Sequence, residues 1–164
     1  MYTMRVSRRV AAPPSVVYRA LLDPEAVARW RVPYGMTCEV HTFDAREGGT
    51  FRISLTYEDE GGATGGSGAR TDTYHGRFAE LLPDERVVEV IEFESGDPRF
   101  QGAMSLTTTL VPMDGGTEVV LVHEGIPDAV SPGDNETGTR MALDRLAALA
   151  EGRPEVRGAG RRRS

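Results

Sequence analysis

Lysine is missing from this 164-residue sequence: all 19 basic residues are arginine. Schiff-base catalysis, pyridoxal-phosphate anchoring and the phosphate-gripping lysine of a P-loop all need the absent amine. Cysteine occurs once, at Cys38. No internal disulfide or thiolate metal cluster can form, which fits a reducing, cytoplasmic setting. Cys38 also sits in an alternating run, where a buried structural thiol is far commoner than a nucleophile. Histidine occurs three times, at His41, His75 and His123, widely separated and without metal-ligand spacing, so no metal is expected. No G-x-S-x-G elbow and no cofactor fingerprint is present. The N-terminus has no apolar signal region, and no stretch approaches a membrane span. With 25 acidic residues against 19 basic ones, the net charge of -6 argues against a phosphate-neutralising surface and hence against nucleic acid.

What is present is ordinary globular composition, 39% hydrophobic and 27% charged, enough for one domain with a sizeable core. Tyr2, Met4, Val6 and Val10 share one parity and Thr3, Arg5, Ser7 and Arg9 the other, the period of a half-buried strand. Pro13-Pro14 and Asp23-Pro24 then open two short helices, proline being free of cost in a first helical turn. From Met36 to His123 the period is two, in six runs: 36–43, 50–59, 71–82, 86–94, 103–112 and 117–124. Gly-, Pro- and Asp-rich connectors separate them, and Gly61 to Gly68 reads as a mobile hairpin tip. Ser131-Pro132-Gly133-Asp134 caps a last helix reaching about Glu151, with Ala142, Leu143, Leu146, Leu149 and Ala150 as its apolar stripe. The domain is expected over residues 1–152, and 153–164, with Arg161-Arg162-Arg163 and no apolar period, as a disordered tail. The predicted class is α+β: a curved antiparallel sheet of six or seven strands wrapped around a long C-terminal helix, with two short helices after the first strand. A curved sheet gripping a helix leaves space beneath it, so a cavity is expected.

The ordered set of motifs resembles the START-like (SRPBCC) helix-grip superfamily. Within it the chain is similar to the branch of homologues of the heat-shock chaperone ATPase activator, to which many small bacterial proteins belong. Pro13 with Val17-Tyr18, Asp23-Pro24 and Trp30 match the opening helices, and Arg46-Glu47-Gly48-Gly49-Thr50-Phe51 matches a glycine-pair turn into a strand. Gly76 to Val88 matches the central hairpin, Gly116-Thr117 to Gly125 the penultimate strand, and Gly138 with Leu143-Asp144-Arg145-Leu146 the final helix. The likeness covers residues 1 to about 150. One position departs from it: Thr139 stands where the family usually has tryptophan after the helix glycine. The resemblance implies a helix-grip fold but little chemistry, since its members include lipid binders, cyclases, oxygenase domains and chaperone modulators.

Strand parity selects the candidate site. Val119, Leu121 and His123 share the face expected to point inward, because the opposite face carries Glu118 and Glu124. The parity of His75, shared with Thr73 and Arg77, leaves its direction open. Phe51, Ile53 and Leu55 alternate on one strand, Leu106 lies on another, Met141 is on the last helix and Trp30 closes one end. The ligand-binding set is therefore Trp30, Phe51, Ile53, Leu55, His75, Leu106, Leu121, His123 and Met141. An apolar pocket of this kind suits a hydrophobic or aromatic small molecule. Two other functions remain open at this point. One is a cyclase- or hydratase-type enzyme moving protons through a cavity histidine near a carboxylate such as Glu89 or Glu92. The other is a chaperone-modulating interaction module. A homodimer is compatible with any of the three.

Overall fold

The computed structural model describes residues 1–57 and 71–153. The Gly61 to Gly68 segment and the arginine-rich tail lie outside the described residues. The described elements run β1 (Tyr2–Val10), α1 (Pro14–Leu22), α2 (Pro24–Trp30), β2 (Met36–Phe43), β3 (Thr50–Tyr57), β4 (Thr71–Leu82), β5 (Arg86–Phe93), β6 (Met104–Met113), β7 (Gly116–Ile126) and α3 (Pro132–Ala150). The seven strands form one antiparallel sheet in the order β1-β7-β6-β5-β4-β3-β2. The last six strands thus follow sequence order, as successive hairpins with short turns require. The first strand joins at the far edge, beside β7.

The helix starts follow their local chemistry. The Asp23 side chain accepts from the Glu25 backbone N–H and Ser131 accepts from that of Asp134, each with proline in the first helical turn. A short 3-10 turn at Pro98–Phe100, capped by Asp97, falls where the sequence signals only a loop. All three helices contribute to one core with the inward sheet face: Val17 and Leu21 of α1, Val27 and Trp30 of α2, and Leu143, Leu146 and Ala147 of α3. Burying each leucine contributes about 2 kcal/mol.

Two strand glycines position the interior. Gly76 stands between Phe51 and Ile91 in the ladder, and a Cβ there would meet the Val90 carbonyl and come within 2.8 Å of the Phe51 ring. Only glycine lets that ring lie against the sheet. Gly125, with φ of +76°, takes up the extra residue of β7 where Tyr2 pairs with Ile126 but Met4 pairs with His123. This bulge resets parity, so that both His123 and Ile126 point inward.

α3 lies alongside β1 and runs the same way. Asn135 reaches the Tyr2 hydroxyl at 3.5 Å, Arg8 donates to Asp144 at 2.8 Å, and the Ala11 N–H donates to Glu151 at 2.8 Å. Its buried residues, Leu143, Leu146, Ala147 and Ala148, all belong to the second half. The expected members of the apolar stripe Ala142, Leu149 and Ala150 are only half-buried, whereas Ala147 and Ala148, absent from it, are buried.

Candidate functional site

A single rung crosses the inner face of the sheet. Phe78 pairs with Glu89, Glu89 with Leu106, Leu106 with His123, and His123 with Met4. All five residues are buried. Strands sit about 4.8 Å apart, so Glu89 and His123 flank Leu106 with their Cα atoms about 10 Å from one another. Two polar side chains therefore stand on an otherwise apolar rung. Above it comes Arg31, the residue that closes α2, whose Nη2 donates to Glu89 Oε1 at 2.7 Å. Its guanidinium lies 5.7 Å from the centre of the Phe51 ring and 5.5 Å from that of Tyr74, so aromatic faces share the charge.

The electrostatics follow from burial. Burial by itself disfavours the Arg31 charge, but the Glu89 carboxylate and the electron-rich Tyr74 hold it above its ordinary range. Burial, opposed by Arg31 and reinforced by Glu89, pushes the Tyr74 hydroxyl up to about 12. Burial likewise raises the Cys38 thiol to about 11, which leaves it protonated and poorly nucleophilic. Burial, reinforced by the nearby Arg31 charge, lowers His123 to about 4. The imidazole is neutral at pH 7, and its Nε2 is buried without a hydrogen-bond partner among the described residues. An unmet polar atom in an interior costs about 1–3 kcal/mol.

The residues expected from parity divide into groups. Phe51, Ile53, Leu106, Leu121 and His123 do face inward and are buried. Leu55 and Met141 are half-buried at the edges of that region. Trp30 is buried, but its indole N–H donates to the Ala20 carbonyl at 2.9 Å, which uses its polar end to join α1 to α2. The expectation for His75 requires correction. It lies on the outer face, exposed, with Nδ1 at 3.0 Å from Glu94 and Nε2 at 3.8 Å from Glu92. Its neighbours Tyr74, Gly76 and Phe78 carry the inward parity, and the period of two sends His75 the other way. Glu89 and Glu92, three positions apart, separate for the same reason. His41 is also on the outer face, sharing a 2.8 Å hydrogen bond with Ser54, which shares one of 2.6 Å with Thr73. Sequence reasoning missed Arg31 and Tyr74. Tyr74 was within reach of parity; Arg31 sits in a helix-ending turn, where no period applies.

The inner-face residues are buried to different degrees. Leu106 and His123 retain 9% of their surface, Tyr74 8% and Leu121 7%, against 1% for Phe51 and none for Ile53 and Phe78. Met4 and Val6 pair with His123 and Leu121. Along β1 those two residues fall between the contacts at Asn135 and Asp144, beside the first half of α3, which buries no side chain. Pro33, on the loop that follows Arg31, meets Gly138 in the same half, its Cγ 3.3 Å from where a Cβ would stand. Thr139 is half-buried there. Among the described residues, no cluster of His, Cys, Asp or Glu could hold a metal ion, and no helix is long and apolar enough to cross a membrane.

One long helix held against an antiparallel sheet, with two short helices inserted after the first strand, defines a helix-grip domain of the SRPBCC type. The model of the family described as activator of Hsp90 ATPase homolog 1-like protein matches residues 11–151, and the chain belongs to that family. A solved structure of a Chromobacterium violaceum protein is 38% identical, covering 93% of this chain and 98% of that one, with a TM-score of 0.81. A Rhodobacter sphaeroides protein at 24% identity, covering 93% and 95% with a TM-score of 0.74, shares the fold. So does the AHSA1 protein of Silicibacter pomeroyi, at 19% identity, 90% and 96% coverage and a TM-score of 0.72. Among curated proteins none matches.

Proposed function

We propose that this chain binds an apolar or aromatic small molecule between the inner sheet face and the first half of α3. The observation that carries the reading is the surface retained by Leu121 and His123 on β7 and Leu106 on β6, next to β1, along which runs a helix half that buries no side chain. Family membership supports it, because the helix-grip fold is compatible with ligand binding. Proton-transfer catalysis is the weaker use of the same residues. His123, lowered to about 4, is a poor proton acceptor at pH 7, and Glu89 is committed to Arg31.

The magnitude of binding can be bounded. A ligand that removes about 200 Å² of apolar surface from water gains about 5 kcal/mol before ordering costs. That corresponds to a dissociation constant no tighter than about 0.2 mM, so a polar contact must supply anything stronger. Titration with Nile red should give a saturable rise in fluorescence that small aromatic molecules reverse by competition. Leu106→Asp, with melting followed in parallel, should abolish it. Failure of the folded chain to bind the dye or any member of an aromatic library would overturn the reading. It would favour a protein-contact function of the kind the family description names.

A further inference from the structure

Resting on that reading, we propose that the ligand is an uncharged molecule with an apolar, ring-sized body and one hydroxyl group, which meets Nε2 of His123 beside Leu106. The geometry commits to this chemistry in three steps. His123 is more than nine-tenths buried, shares its rung with Leu106 and Glu89, and has an Nε2 with no partner among the described residues. A neutral imidazole offers an N–H on one ring nitrogen and a lone pair on the other. A hydroxyl both donates and accepts, so it satisfies Nε2 in either tautomer, whereas a carbonyl fits one tautomer only.

The surroundings argue against a charged group at that nitrogen. Arg31, whose charge acts on His123, is already paired with Glu89. A carboxylate placed against Nε2 would find a neutral partner, and a full counter-charge requires protonating an imidazole whose pKa is about 4. At pH 7 that is a penalty of about a thousandfold. The remaining surface near the rung, from Leu106, Leu121 and Tyr74, is apolar or aromatic and suits a ring. Thr139, half-buried where relatives by resemblance carry tryptophan, leaves the first half of α3 short of a large side chain.

Three probes of one shape separate these claims: 2-naphthol, 2-methylnaphthalene and 2-naphthoate, each displacing Nile red at pH 7. The expected order is 2-naphthol first, about tenfold tighter than 2-methylnaphthalene, with 2-naphthoate weakest. In His123→Leu, which keeps an apolar side chain of similar reach, the hydroxyl preference should vanish while 2-methylnaphthalene still binds. His123→Gln, which can also donate and accept, should retain part of it. Equal binding of 2-naphthol and 2-methylnaphthalene by the unaltered chain would overturn the hydroxyl assignment and leave the apolar-binding reading standing. A preference that persists in folded His123→Leu would overturn the role of His123, and tightest binding of 2-naphthoate would overturn the uncharged class. If no probe binds and Nile red does not either, the binding reading fails and this inference fails with it.

Discussion

His123 loses its proton to burial, and the loss has a consequence for stability. Its ordinary pKa of 6.5 holds in the unfolded chain, while the folded value is about 4. Above pH 6.5 both states are neutral there and the group adds no pH dependence. As pH falls from 6.5 towards 4, the unfolded chain takes up a proton that the folded chain refuses, so stability drops, by about 3 kcal/mol across the window. Urea unfolding at pH 7 and pH 4 should therefore show His123→Gln losing about 3 kcal/mol less than the unaltered chain. Equal losses would mean that the imidazole is solvated. The inward direction of His123 was legible in the sequence because Val119 and Leu121 share its parity opposite two carboxylates. The direction of His75 was legible in principle too, once Tyr74 and Phe78 rather than Thr73 and Arg77 are taken as the apolar series. The pairing of Arg31 with Glu89 was not legible, since nothing local links a helix end to a strand 58 residues on.

At the scale of elements, α3 is two helices in one. Its second half supplies Leu143, Leu146 and Ala147 to the core, and its first half, Pro132 to Ala142, is polar, small or only partly covered. Leu146→Ala should cost about 2–5 kcal/mol in chemical denaturation, because a fully buried leucine leaves a cavity. Met141→Ala, half-buried in the other half, should cost about 1 kcal/mol or less and alter Nile red binding instead. Equal destabilisation by the two would show that α3 packs uniformly. The start of this helix was visible from Ser131-Pro132 because capping is local chemistry. The division between its halves was not, since Ala142 and Leu149 read as core by period but are only partly buried against it, while Ala147 and Ala148, outside that period, are buried.

At the scale of the molecule, seven antiparallel strands share one apolar face, and three helices cover it from one side. Ending the chain at Asp134 would remove α3, with its buried Leu143, Leu146 and Ala147, from β1, α1 and α2, so the shortened chain should lose its cooperative melting transition in circular dichroism. A soluble shortened chain that still melts cooperatively would refute the helix-grip account of stability. Period, capping and turn residues act over two to four positions, and for that reason the sequence by itself determined the order of elements, the six-strand meander, the helix boundaries and most inward-facing positions. Which strand β1 joins, which buried charges meet and which half of α3 enters the core came only from the packed chain. Those outcomes depend on contacts between residues far apart in the chain: the pairing of β1 with β7, whose bulge at Gly125 brings Ile126 inward, the α2 end that carries Arg31 over Glu89, and the line of α3 along β1 that puts only its second half into the core.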